Sequence, residues 1–181
     1  MLSRPAEALG AIRYRAGQFF AALGARRHPP DEAPAARILP PEMLALFGRM
    51  PVEDRRHGLE VLTRLEAGGA QDPVLLQAAL LHDVGKAEAG VGLLHRVARV
   101  ALRGLCPPLW RWLSQTPTGW RRPFWAVANH PARGAAWVAS LGADPALERL
   151  IRHHEAALPE DGSDDADIER QRALAAVDAQ C

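Results

Sequence analysis

The sequence predicts an all-α fold, and three observations carry that prediction. Apolar residues recur at helical spacing through most of the 181 residues, and no stretch alternates apolar with polar as a half-buried strand does. Helix starts are marked by a polar residue followed closely by proline, as at Ser3 and Pro5, Asp72-Pro73 and Asp144-Pro145. Glycine pairs and proline-rich stretches separate the periodic segments, and no internal repeat is present.

Taken in order, residues 3–24 predict a helix with Ser3 as cap. Its arginines Arg4, Arg13 and Arg15, continued by Arg26 and Arg27, form a basic face. A solvated face is the simpler reading, and contact with acidic lipid or an acidic partner is the other. Residues 28–40, rich in proline, read as a linker, so 1–40 is an N-terminal helix with its linker and 41–181 is one domain. Pro41 to Phe47 predicts a short helix, and Val52 to Ala67 a longer one that Gly68-Gly69 ends. Asp72-Pro73 opens a helix running through Asp83, with Gly85 at the position of a C-cap glycine. Residues 91–103 predict a helix carrying Arg96, Arg99 and Arg103 on one side, most simply a solvated stripe. The segment 105–129 mixes proline with Trp110, Trp112, Trp120 and Trp125, interleaved with Arg111, Arg121 and Arg122. Such a segment reaches over a site as a lid, stacks on a base, or, most simply, packs in a groove. His130-Pro131 predicts another helix start, and Asp144-Pro145 opens a helix running to His154. An acidic loop at 159–167 precedes a last helix over 167–179.

A net charge of +1 does not suggest a nucleic-acid scaffold, so no stable nucleic-acid partner is expected. Cys106 and Cys181 lie outside any CxxC pattern, which fits a reducing compartment. The first residues hold no continuous apolar run ahead of a cleavage site, and no run approaches the length of a transmembrane helix. The expectation is a cytoplasmic globular protein.

Chemistry concentrates in Leu80-Leu81-His82-Asp83-Val84-Gly85-Lys86. An apolar run ends in a His-Asp pair, and the chain's only lysine follows three residues later; every other basic side chain apart from histidine is arginine. A lysine is a compact point charge suited to one oxygen, where arginine is a planar fork. Burying a His beside an Asp costs free energy unless something compensates both, and a metal ion is the usual compensator. Elsewhere Glu53 and His57 share a helix face at i and i+4, His130 sits beside a proline, His153 and His154 end an amphipathic helix, and Asp178 lies four residues after Leu174. His28 and His95 lack such context. Histidines and aspartates at the ends of separate helices can converge as metal ligands do in helical bundles. Imidazole mixed with carboxylate suits Fe, Mn, Zn or Ni better than Ca and excludes a thiolate site.

This ordered set resembles the HD-domain superfamily of metal-dependent phosphohydrolases, and within it the HD-GYP branch. The matching segments are His57, then His82-Asp83-Val84-Gly85-Lys86, then His130-Pro131-Ala132-Arg133-Gly134, then His153-His154-Glu155, then Asp178, covering roughly residues 50–181. The resemblance implies an HD-domain helical bundle with an N-terminal helical extension. It implies two divalent transition-metal ions, one held by His57, His82, Asp83 and Asp178. The other would take Asp83 as a bridge with His130, His153 and His154. Glu53 matches a position that some members use for a further metal. Lys86 would donate to a phosphate oxygen, and the substrate would be a small-molecule phosphoester, such as a nucleotide.

Two departures stand out. No Gly-Tyr-Pro follows His153-His154-Glu155, and Cys181 stands where a further carboxylate is usual. The second argues against a third metal. The first argues against a dedicated cyclic-di-GMP phosphodiesterase, as do the six carboxylates between Glu160 and Glu169, which would repel a polyanion if they faced the site. A mixed-valent di-iron oxygenase and a non-catalytic binding module are the alternatives the same pattern leaves open.

Overall fold

The computed structural model describes residues 29–156 and 164–181; the helix expected over 3–24 and part of the acidic loop lie outside them. The described residues form helices and turns with no strand, as the sequence predicts. In chain order the helices are α1 (Ala33–Ile38), α2 (Pro41–Gly48), α3 (Val52–Ala67), α4 (Pro73–Leu81), α5 (Leu93–Leu105), α6 (Pro107–Ser114), α7 (Arg122–Ser140), α8 (Pro145–His153) and α9 (Asp165–Asp178). Short 3₁₀ turns lie at Val84–Lys86 and Gly119–Arg121. No described helix is long and apolar enough to cross a membrane.

At the centre lies α4, apolar except for Gln77, with Leu75, Leu76, Ala78, Ala79, Leu80 and Leu81 all buried. Its start is fixed by Asp72, whose Oδ1 accepts from the backbone N–H groups of Val74 (2.8 Å) and Leu75 (3.2 Å). Around it pack α3, α8 and α9, which contribute Val61, Leu62, Leu147, Leu150, Ile151 and Leu174, with Met43, Leu46 and Phe47 of α2 closing one side. A smaller cluster of Ala89, Val91, Trp110, Ala126 and Val127 joins α6 to α7.

Three local expectations change. The segment 28–40 is not all linker: α1 forms inside it, with Pro34 tolerated in the first turn and Ala35 fully buried. His130-Pro131 does not open a helix but lies within α7. A proline there removes the N–H that would bond the carbonyl of Val127 four residues back. The ring of His130 takes that carbonyl instead, through Nδ1 at 2.9 Å. Gly85 is not a left-handed cap. It sits in the 3₁₀ turn, and the reason for glycine is space. A Cβ there would lie 2.0 Å from the carbonyl oxygen of His130 and 2.8 Å from the backbone nitrogen of Gly134.

Gly134 is the other half of this contact, since its own Cβ would meet Val84, Ile151 and the Gly85 backbone at 3.1 to 3.3 Å. Arg133 adds a hydrogen bond to the Gly85 carbonyl while its guanidinium stacks between Trp125 (5.3 Å) and Trp137 (4.8 Å). Groove packing is thus the use made of Trp125, as the simplest reading of the tryptophan-rich segment expects.

Gly85→Ala should force two backbones apart that cannot yield. We expect a loss of about 3 kcal/mol, at the top of the range for overpacking. Thermal melting of the variant would measure it, and an unchanged melting temperature would refute the contact.

Candidate metal centre

Two groups of donors converge where α3, α4, α7, α8 and α9 meet: His57, His82 and Asp178 form one, and Asp83, His130 and His154 the other. Within each group one donor atom per residue lies within 4.8 Å of the others. His82 and Asp83 are sequence neighbours at the end of α4, so a single turn delivers one ligand to each group.

In the first group, His57 Nε2 lies 2.7 Å from Asp178 Oδ1, and His82 Nε2 lies 3.5 Å from the same oxygen. His57 can come close to α4 because Gly58 beside it leaves room for the carbonyls of Ala79 and Leu80, only 3.1–3.2 Å from where its Cβ would stand. Asp178 is carried in by α9, which Arg170 ties to the cap of α4 through Asp72 Oδ2 at 2.8 Å. In the second group, His130 Nε2 lies 3.2 Å from Asp83 Oδ1 and 3.2 Å from His154 Nε2, while His154 Nε2 is 3.9 Å from Asp83 Oδ1. Asp83 faces both groups: its other oxygen, Oδ2, is 3.9 Å from His82 Nε2.

Three of the imidazoles are held in the same way. Nδ1 of His82, His130 and His154 meets the backbone carbonyl three residues earlier, that of Ala79 (3.1 Å), Val127 (2.9 Å) and Ile151 (2.7 Å). A carbonyl only accepts, so each Nδ1 carries a proton, and in the neutral ring each Nε2 then presents a lone pair. That is how metal-ligating histidines are oriented. In the second group it brings two imidazole lone pairs and a carboxylate oxygen together. A proton can satisfy one such pair, whereas a divalent cation satisfies all three. The donor set therefore fits a transition-metal ion.

The electrostatics keep two of the histidines neutral, while for His57 the effect of burial is outweighed by the hydrogen bond to Asp178 and the nearby carboxylates, which raise its pKa. Burial, reinforced by neighbouring histidines, holds the His154 imidazole down to about 4, so it stays neutral as a ligand must be. Burial likewise lowers His82. Burial would raise Asp83, but the Lys86 ammonium and the surrounding histidines keep its carboxyl well below the usual range. Asp178 is held down in the same way by its hydrogen bond to His57, against the effect of burial.

Lys86 is buried, not a solvent-exposed neighbour of a cap, and its Nζ donates to Asp83 Oδ2 at 2.5 Å. It also lines a cavity of 290 Å³ beside the centre, together with Arg99, Val100, Arg103 and Val127. His153 belongs to neither group. Adjacent residues on a helix point about 100° apart, so only one of His153 and His154 can face the centre, and it is His154. The His153 carbonyl instead accepts from Gln171 at 2.7 Å. Glu53 also lies outside both groups, and His95 serves locally, with Nδ1 accepting from the Gly92 N–H.

Sequence reasoning missed two participants. Glu155 places Oε1 3.5 Å from His130 Nε2 and binds Arg99 through its other oxygen. Its signal was the third residue of His153-His154-Glu155. Arg99 belongs to the stripe read as solvated, yet its side chain is only 18 % exposed. The acidic stretch before α9 is partly neutralised within the fold: Asp164 caps α9, and Asp167 is buried between Arg149 (2.7 Å) and Arg170 (3.1 Å). Of the exposed tryptophans, Trp112 and Trp120 lie against each other and line neither this cavity nor the adjoining one described below.

No family model, curated protein or solved structure matches the chain.

Proposed function

We propose that this chain is a metal-dependent phosphohydrolase with a dinuclear centre on an HD-domain-like helical bundle. The observation that carries the reading is the pair of donor groups joined at His82-Asp83, with Asp83 turned toward both. Two divalent cations bound there would supply Lewis acidity to a phosphoryl oxygen and lower the pKa of a water.

The chain's own residues do the rest. The carbonyl-tethered histidines fix ligand direction before substrate arrives. Lys86, set between Asp83 and the adjoining cavity, can share its ammonium with a phosphate oxygen as charge builds there. Asp83, Asp178 and Glu155 are three carboxylates against the two cations Lys86 and Arg99, so the site is slightly anionic alone. With two divalent cations held by these donors that sign would be reversed, and the site would fit a phosphate. In the reaction a water oxygen bonds to phosphorus as the ester P–O bond breaks, and the departing oxygen takes up a proton.

Elemental analysis of the full chain should find about two Fe, Mn or similar ions per protein. His57→Ala should lose one ion and His154→Ala the other, with helix content intact by circular dichroism. A chain that takes up no metal on reconstitution overturns the proposal. Iron together with substrate-dependent oxygen consumption would turn it into the oxygenase reading.

Lys86→Ala should lower kcat/KM for an aryl phosphate by roughly tenfold or more while metal content is retained. Unchanged turnover would remove Lys86 from the chemistry.

A further inference from the structure

On α5, Arg103 is exposed as a solvated stripe would be, but Arg99 is not. The helix's apolar residues Leu94, Val97 and Leu105 are exposed, at 78 %, 56 % and 86 %, while Arg99 turns toward the metal centre and pairs with Glu155. Two neighbouring cavities follow from this. One, of 290 Å³, is lined by Lys86, Arg99 and Arg103. The other, of 380 Å³, is lined by Arg99, Arg103, Arg152 and Glu155, with Trp110 and Pro131 among its walls. Arg99 and Arg103 stand between the two, and both cavities border centre residues, Lys86 in one and Glu155 in the other.

The charges are unequal. Lys86 is matched by Asp83, Arg99 by Glu155 and Arg152 by Glu148 at 2.6 Å. Arg103 pairs with no carboxylate among the described residues. The cavities therefore carry a surplus of positive charge among the described residues, with Val100, Val127 and Ala128 among their walls and with Arg103 and Arg152 exposed to a ligand arriving from solvent. Guanidinium groups bind phosphate through paired N–H donors, and among the described residues no carboxylate takes those of Arg103. Three guanidiniums around one cavity exceed the single charge of a carboxylate.

We infer that Arg103, with Arg99 and Arg152, forms an anion site next to the metal centre for a phosphate other than the one cleaved, so that the substrate is a small molecule bearing at least two phosphoryl groups. The second clause rests on the phosphohydrolase reading above; the anion site does not.

The test uses the full chain stripped of metal by chelator and dialysed, titrated by calorimetry with inorganic pyrophosphate and, separately, orthophosphate. Pyrophosphate should bind roughly tenfold or more tightly than orthophosphate. Arg103→Gln should weaken pyrophosphate by roughly the same factor, and Arg103→Lys should restore part of it. Circular dichroism checks that both variants fold. Pyrophosphate binding no tighter than orthophosphate, or unchanged in R103Q, overturns the site. With metal restored, R103Q should also lower the kcat/KM ratio of a doubly phosphorylated substrate over an aryl phosphate. Anion binding lost in R103Q from a protein that hydrolyses no phosphoester would keep the site and sink the hydrolase reading. Hydrolysis with pyrophosphate binding unaltered in R103Q would do the reverse.

Discussion

The backbone of the turn at Gly85 runs against the backbone of α7 at His130 and Gly134 with no side chain between them. Everything at the centre depends on that closeness. The turn carries His82 and Asp83 just before Gly85, and α7 carries His130 within its span, so bringing the two backbones together brings Asp83 Oδ1 to 3.2 Å from His130 Nε2. Gly58 does the same for α3 against α4, with His57 beside it. Glycines adjacent to ligands thus set the spacing of the ligands, because close packing leaves no slack for a methyl group between two main chains.

Direction is set separately from position. Each of His82, His130 and His154 returns its Nδ1–H to its own helix, three residues back. For His130 the acceptor is available because Pro131 cannot donate to Val127. A proline that would ordinarily weaken a helix here releases the carbonyl that orients a ligand. The three side chains then need no partner outside their own helix to present Nε2 inward, and the network at the centre is left to acceptors that a cation would join.

Charge follows a gradient out from this centre. Asp83 is deeply buried and held by Lys86; Glu155 is farther out and held by Arg99; Arg103 faces the cavities with no acidic partner among the described residues. Such an order would draw an anion toward the donor groups without leaving an unpaired charge in the interior, where it would be costly.

The all-α class, the approximate extents of α2, α3, α4 and α9, and the chemistry of the ligands were legible in the residues, because helical periodicity, caps and donor types are local properties. His57, His82, Asp83, His130, His154 and Asp178 were each named from sequence and are brought together by the fold. Other features are decided by three-dimensional contact. Whether His153 or His154 faces inward depends on the rotation of α8 against α7, and Gly85 looks like a cap until the second backbone is beside it. That Arg99 and Arg103 of α5 line cavities beside the donor groups has no local signature either. By itself the sequence determined which groups were available for chemistry and on which helices; only the tertiary structure decided which of them meet, because meeting requires the close approach of segments distant in the chain.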